Sequence, residues 1–168
     1  ITISAGATTG TVSFTPTDDA ADPVYEENET AIISIDGVSG GSASESGSQS
    51  VTITITENES APTVTLARSA ASIAENSGST VTLTATLSIK VDEAVTVALS
   101  TSGAATEGTD YGTISDITVS AGATTGTATF DPTDDSIYED DEAATIAIDS
   151  VSGGGASESG SQSVAVTI

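Results

Sequence analysis

An internal repeat sets the size of the folding unit in this chain. Residues 1–19 recur at 117–135, and residues 24–55 recur at 137–168, with 37 of the 51 aligned positions identical. The two copies are offset by 116 residues in their first part and by 113 in their second. A period of this length is too long for a solenoid unit, and it fits a β-sandwich domain of about 100 residues.

The repeat also divides the chain into domains. On this period residues 62–168 form one complete repeat, residues 1–55 form the C-terminal half of a first repeat, and residues 56–61 form a short polar linker. We expect the chain to be part of a longer tandem array. Because a half-repeat leaves a sheet edge open and an apolar face exposed, we expect residues 1–55 to contact strands of another copy or to be poorly ordered.

Alternating side chains predict the fold class. Between Ser79 and Ser88 the residues Val, Leu, Ala and Leu alternate with four threonines, which is the pattern of a half-buried strand. Similar runs lie at 64–66, 95–99, 117–119, 128–130, 146–148 and 164–168. No helical period spans ten residues, and clusters of Gly, Ser, Asp and Asn separate the runs. The sequence therefore predicts an all-β protein, an antiparallel β-sandwich of about seven strands.

The composition excludes several classes of function. The absence of His and Cys removes disulfides, His- and Cys-based catalysis, and Zn²⁺ sites built on imidazole or thiolate. The 25 Asp and Glu residues oppose 2 Lys and Arg, for a net charge of −23, so nucleic acid and anionic membranes are poor partners. No apolar run is long enough to cross a bilayer, so we expect no membrane insertion in this segment.

The acidic residues are expected to gather at one end of the sandwich. If each of the strands A to G runs opposite to the one before, the A–B, C–D and E–F connections and the exit from G share one end. The opposite end then carries the B–C turn with Lys90, Asp92 and Glu93, the small D–E turn around 121–122 and the Gly-rich F–G loop at 152–161. The acidic end holds Glu75, Glu107, Asp110, Asp134, Asp135, Glu139, Asp140, Asp141 and Glu142, and the first copy adds Glu57 and Glu59 after its last strand.

This concentration of carboxylates favours a bound cation. Two unit charges about 4 Å apart repel by roughly 4 kcal/mol at an effective dielectric constant of 20, and only Arg68 and Lys90 are available to offset them. Ca²⁺ accepts six to eight carboxylate and carbonyl oxygens in irregular geometry, whereas Mg²⁺ prefers a strict octahedron and keeps its waters. The alternative is a solvated acidic loop that keeps the surface hydrated.

The residues at the acidic end resemble the Calx-β domain. The similarity rests on the stretches 108–111 (GTDY) and 120–122 (SAG), and on the pattern DD-x-x-x-E-x-x-E at 134–142. Residues 74–76 (AEN) resemble the early acidic position of the family. The resemblance covers 62–168 and, for its second half, 1–59. It implies an immunoglobulin-like sandwich of seven strands that binds one or more Ca²⁺ at its loops.

Tyr111 and Tyr138 are expected to be core or loop-anchoring residues.

The resemblance also implies a set of ligands in each copy, and each set is incomplete in this sequence. In the complete repeat the implied ligands are Glu75, Asp110, Asp134, Asp135, the Ile137 carbonyl, Glu139 and Glu142. In the first copy they are Asp18, Asp19, the Val24 carbonyl, Glu26 and Glu29, followed by Glu57 and Glu59 after its last strand.

The family occurs as calcium sensors in sodium/calcium exchangers, in an integrin tail, and as tandem arrays in bacterial surface adhesins. The near-identical copies, the scarcity of Lys and the absence of Cys favour the last context. We expect a non-catalytic structural repeat at the surface of a bacterial cell, in contact with neighbouring repeats or other copies of the protein. A calcium-responsive regulatory or partner-binding module, and a passive acidic spacer, are the alternatives.

Overall fold

Twelve strands and one three-residue 3-10 turn make up the regular structure of the computed structural model, which describes residues 1–168. No helix in it has the length and apolar character needed to cross a membrane. The strands are β1 (Val24–Tyr25), β2 (Glu29–Ser34), β3 (Ser50–Ile55), β4 (Thr63–Arg68), β5 (Val81–Leu87), β6 (Lys90–Val91), β7 (Val95–Gly103), β8 (Ile117–Val119), β9 (Thr125–Phe130), β10 (Ala143–Ser152), β11 (Ser157–Glu158) and β12 (Ser163–Thr167).

The chain divides into two compact units. Unit 1 comprises residues 1–22 and 30–55, and unit 2 comprises residues 23–29 and 56–168. The expected boundary at 56–61 is therefore only one of the places where the chain passes between units. The short segment 23–29 belongs by sequence to the first copy, but it belongs by contacts to unit 2, because β1 pairs with β6.

Unit 2 contains the predicted sandwich. One four-stranded sheet has the order β12-β10-β7-β8, and the other has the order β11-β4-β5-β9. All seven predicted strands are present as β4, β5, β7, β8, β9, β10 and β12, and their pairings are antiparallel. The predicted fold class is confirmed. The two-residue strands β1, β6 and β11 were not predicted, because two residues carry no alternation.

The apolar side of each strand forms the core between the two sheets. In β5 the side chains of Val81, Leu83, Ala85 and Leu87 are buried, and the intervening threonines lie outside the core. Full burial of one of these Val or Leu side chains contributes about 1.5–3 kcal/mol relative to exposure. Phe130 of β9 pairs opposite Val81 and stacks on Tyr111, with ring centroids 4.7 Å apart.

Unit 1 contains the two-stranded sheet β2–β3, except for Glu29 at the start of β2, and a segment, 1–19, without assigned strands. In this segment a glycine lies close to a backbone carbonyl, as the equivalent glycine does in the complete repeat. A Cβ added to Gly10 would lie 2.5 Å from the carbonyl oxygen of Thr2, and a Cβ added to the equivalent Gly126 would lie 2.4 Å from that of Thr118. The large apolar side chains of this unit are exposed, as expected for half a sandwich: Ile1, Ile3, Val12, Phe14, Ile32, Ile33, Ile35, Val38 and Val51.

Candidate metal centre

Backbone hydrogen bonds hold the acidic connections together at one end of unit 2. The N–H of Ile73, in the A–B connection, donates to the carbonyl of Thr167 at the end of β12, at 2.9 Å. The N–H of Thr133, in the E–F connection, donates to the carbonyl of Asp110 in the C–D connection, also at 2.9 Å. The predicted gathering of these connections at one end is confirmed.

Tyr111 anchors the C–D connection in the core. Its side chain is only 1% exposed and stacks on Phe130 with 25° between the ring planes. The N–H of Gly108 donates to the Tyr111 carbonyl at 2.7 Å, which closes the loop just before the buried ring. Because Tyr111 points into the core, the neighbouring Asp110 is held at the edge of the sandwich. The expectation for Tyr111 is confirmed.

Local hydrogen bonds orient two of the predicted ligands. The Oδ2 atom of Asp110 accepts a hydrogen bond from the N–H of Thr106 at 2.5 Å. The Oδ1 atom of Asp135 accepts one from the N–H of Ile137 at 2.6 Å, which makes a tight turn at the start of the acidic loop. Each carboxylate uses one of its two oxygens in this local bond, so its second oxygen is available for a further interaction.

These connections border a cavity of about 220 Å³ that is lined mainly by acidic side chains. Glu75 lies in a 3-10 turn at Glu75–Ser77 and is half-buried. Glu142, the residue before β10, exchanges two backbone hydrogen bonds of 3.1 and 2.8 Å with Ile168. No basic side chain lines the cavity. Its lining residues are Ala74, Glu75, Asp110, Glu139, Asp140, Asp141, Glu142 and Ile168.

The pKa of Glu139 shows that these carboxylates lie close enough together to repel one another. Loss of surrounding water and then repulsion from Asp110, Asp135, Glu75 and Glu142 raise the pKa of Glu139 above its ordinary value. Four neighbouring carboxylates therefore act on Glu139 at once. An added cation would relieve this repulsion, whereas an added anion would increase it.

The donor set fits Ca²⁺ by its chemistry. Carboxylate oxygens are the ligands that a hard cation prefers, and the cavity offers them from three separate connections. As the side chains stand, no three acidic residues are spaced to hold one ion. An open spacing is compatible with their like charge, since carboxylates repel one another when no cation lies between them.

The predicted ligands of the complete repeat divide into two groups. Glu75, Asp110, Glu139 and Glu142 line the cavity, and Asp135 is close enough to act on Glu139. Asp134 and Ile137 do not line it. Tyr138 does not anchor the loop as expected, since its side chain is 90% exposed. Asp140 and Asp141 also line the cavity and were not among the predicted ligands, although the unbroken acidic run 139–142 was a signal for them.

The implied ligands of the first copy fall in different units. Asp18 and Asp19 belong to unit 1, where the N–H of Asp22 donates to the carbonyl of Asp19 at 2.9 Å. The remaining three, Val24, Glu26 and Glu29, belong to unit 2. The three additional residues of this loop lie between the two groups, in the stretch 20–23 that stands against Ser136 alone in the second copy.

Glu57 is tied to backbone amides. Its carboxylate accepts hydrogen bonds from the N–H groups of Glu26, Asn58 and Glu59, at 2.5, 2.8 and 2.7 Å. Its own N–H donates to the Oδ1 atom of Asn28 at 2.8 Å. Burial raises the pKa of Glu57, but these hydrogen bonds outweigh burial, and the pKa is lowered overall. The start of the linker is thus fastened to the segment 23–29.

Comparison with known proteins identifies the family. The family model of the Calx-β domain matches residues 57–168. This chain belongs to the Calx-β domain family. The match spans the linker residue Glu57, the acidic end and all strands of the sandwich in unit 2. The resemblance drawn from the sequence is confirmed.

Two solved structures show the same fold. The crystal structure of the apo form of the Calx CBD1 domain is 20% identical, with a TM-score of 0.52 over 63% of this chain and 96% of that one. The crystal structure of CBD12 from CALX1.2 is also 20% identical, with a TM-score of 0.51 over 62% of this chain and 43% of that one. No curated protein matches the sequence. Calx-β domains are calcium-binding modules.

Proposed function

We propose that this Calx-β chain is a calcium-binding structural repeat whose metal sites stiffen the acidic ends of its domains. One observation carries the proposal: several carboxylates from three connections line a single cavity that no basic side chain enters. No Lys or Arg side chain is therefore present in the cavity to neutralise these carboxylates. A divalent cation supplies the missing positive charge.

In unit 2 the residues that would hold the ion are Glu75, Asp110, Glu139 and Glu142, with Asp135 beside them. Glu75 comes from the A–B connection, Asp110 from the C–D connection, and the others from the E–F connection. When bound, Ca²⁺ neutralises these carboxylates and cross-links the three connections. The fold itself brings the three connections close together before any ion binds, and the buried Tyr111 anchors the C–D connection in this position.

The wider context of the proposal is an array of such repeats in an extracellular adhesin or surface filament of a bacterial cell. The near-identical copies and the absence of Cys support it. The partners would be neighbouring repeats of the same chain or other copies of the protein, and the role would be non-catalytic. The exposed apolar residues of unit 1 support contact with complementary strands from such a copy.

Calorimetric titration of Ca²⁺ into the metal-free protein tests the binding, and scanning calorimetry tests its effect on stability. At a free concentration ten times the dissociation constant, binding adds about 1.4 kcal/mol to the free energy of unfolding. Glu139→Gln should reduce both the heat of binding and this gain. Glu93→Gln removes the same charge from an exposed position on the B–C turn and should leave both unchanged. Absence of heat and of stabilisation in the unmodified chain would contradict the proposal.

A passive acidic spacer is the second candidate, favoured by the net charge of −23 and by the open spacing of the carboxylates. A regulatory module, whose interdomain angle responds to calcium, is distinguished from both by solution scattering. The measurement is made at fixed ionic strength with calcium and with chelator. The scattering profile of a passive spacer should be the same with calcium and with chelator. Calcium should narrow the distribution of lengths of a stiffened repeat, and it should change the mean length of a regulatory module.

A further inference from the structure

The segment Val24–Tyr25 forms a strand with the B–C turn of the second repeat. β1 pairs in parallel with β6, with Val24 opposite Lys90 and Tyr25 opposite Val91. The N–H of Asp92 donates to the carbonyl of Tyr25 at 3.4 Å. Both residues of β1 are half-buried. A two-residue piece of the first copy thus extends the fold of unit 2 at the end opposite its acidic cavity.

The side chain of Tyr25 fits against a glycine of the F–G loop. Its ring packs on the edge of the core, and a Cβ added to Gly155 would lie 2.7 Å from its Cε1 atom and 3.0 Å from its hydroxyl oxygen. A larger residue at this position would therefore require the ring to move from where it packs. The equivalent residue of the first copy is Ser42, which has a left-handed φ of 55°, close to the 59° of Gly155. The turn itself accepts serine.

The second copy carries the same pair of residues without such a contact. Ile137 and Tyr138 are the counterparts of Val24 and Tyr25, at an offset of 113 residues. Their side chains are 65% and 90% exposed, and they are the large exposed apolar residues of unit 2. The Tyr138 hydroxyl reaches only the Oδ1 atom of the nearby Asp140, at 3.5 Å.

We propose that Ile137–Tyr138 is a docking segment for a following copy of this repeat. It would add as a parallel strand to the residues equivalent to Lys90–Val91 of that copy, with the Tyr138 ring placed over the residue equivalent to Gly155. The surface that accepts it consists of β6 and Gly155, and its occupant in unit 2 is already a segment of this sequence. The proposal rests on the array part of the proposed function, and it does not depend on calcium binding.

Chain connectivity makes so small a contact sufficient. Addition of a short strand to an exposed backbone edge is a recurring mode of recognition, and its specificity comes from pockets for single side chains. A short linker keeps the two surfaces at an effective concentration in the millimolar range, so a weak contact is populated within one chain. In the first copy Glu57 holds the linker close to the docked pair Val24–Tyr25, because its carboxylate accepts a hydrogen bond from the N–H of the adjacent Glu26.

The test uses the full chain lengthened after Ile168 by a second copy of residues 56–168, which reproduces the Ile55–Thr56 junction. The added copy carries Tyr138→Phe, so that the inner Tyr138 is the only reporter of its kind. Hydroxyl-radical footprinting, read by mass spectrometry in the presence of chelator, measures the accessibility of each tyrosine. Tyr25 and Tyr111 serve as docked and buried references in the same sample.

We expect the labelling rate of Tyr138 to fall severalfold on lengthening, to the rate of Tyr25. Gly155→Ser in the added copy should restore the rate seen in the unlengthened chain, since the serine Cβ occupies the space of the ring and the turn tolerates serine at Ser42. An unchanged rate on lengthening would overturn the proposal. So would a fall that persists in the Gly155→Ser variant, because the ring would then be buried elsewhere.

A variant with a longer loop tests whether reach limits the contact. Ser136 is replaced by the four residues Ala-Ala-Asp-Pro, which give the second loop the length of the first. If Tyr138 is protected only in this variant, the native second repeat does not dock and the proposal is wrong. If protection is equal with and without the insertion, the proposal holds. Calcium titration of the same samples separately reports the metal centre, so failure of one proposal leaves the other measurable.

Discussion

The loops at 23–29 and 136–142 have nearly the same sequence and lie in different surroundings. In the first, Val24 and Tyr25 form a strand with β6, and the backbone near Glu26 is bound by Glu57. In the second, Ile137 and Tyr138 are exposed, and the acidic residues that come after them line an open cavity. The comparison shows that nearly the same loop sequence is compatible with two surroundings, contact with the linker and repeat C-terminal to it in one copy and exposure in the other.

The same contrast extends to the core. Phe14 and Phe130 are equivalent residues, at an offset of 116, but Phe130 is fully buried and Phe14 is 42% exposed. Burial requires the facing strands of the same repeat, and the counterparts of β4, β5 and β7 are absent from the first copy in this chain. Identical residues thus contribute differently to stability.

The greatest loss of stability is expected at one of these two phenylalanines. Phe130→Ala removes the partner of Tyr111 and should lower the free energy of unfolding by about 3–5 kcal/mol. Phe14→Ala should lower it by less than about 1 kcal/mol, because the side chain is already partly in water. Urea unfolding followed by circular dichroism measures both. Equal losses would show that the first copy has a core of its own.

The next effect concerns calcium. Glu139→Gln should weaken binding by about tenfold, because it removes one of the charges on which affinity depends. Glu26→Gln changes the equivalent residue of the first copy, whose implied ligands are divided between the units, and should have a smaller effect. Calorimetric titration gives both constants. A larger loss for Glu26→Gln would place the stronger site in the first copy.

A smaller effect is expected at the junction. Glu57→Gln replaces charge-assisted hydrogen bonds to three backbone amides by weaker neutral ones, which should lower the free energy of unfolding by about 1 kcal/mol. The loss should be the same in chelator and in calcium if Glu57 acts through the amides alone. A loss that appears only in calcium would make Glu57 a metal ligand instead.

The smallest effects are two pH dependences of opposite sign. The pKa of Glu139 is raised from its ordinary value of 4.5, so the metal-free fold gains stability from this group as pH falls through the raised pKa. The pKa of Glu57 is lowered from 4.5, so its contribution is fully present above that pH and is lost as pH falls through the lowered pKa. Carboxyl-selective NMR titration should show the two groups on opposite sides of 4.5. Titration of both on the same side would remove this contrast between the junction and the cavity.

Much of the candidate site could be predicted from the sequence. Alternation identified the strands, and strand parity then placed Glu75, Asp110 and Glu142 at the same end, because antiparallel order leaves only two ends for the connections. The orientation of each side chain could not be predicted in the same way. Asp134 lies outside the cavity and Asp141 lies in it, since turns such as the one at Asp135–Ile137 set the direction of each residue separately.

Local sequence was enough to predict the all-β class, the seven main strands, the repeat period and the family, because these depend on periodicities and residue types that are local and additive along the chain. Tertiary structure alone decided that Tyr25 joins the second repeat, that Tyr138 remains exposed, and that Glu57 binds amides. Those outcomes depend on which backbone groups and glycines meet across long separations in the chain, and equivalent residues with different neighbours therefore reach different end states.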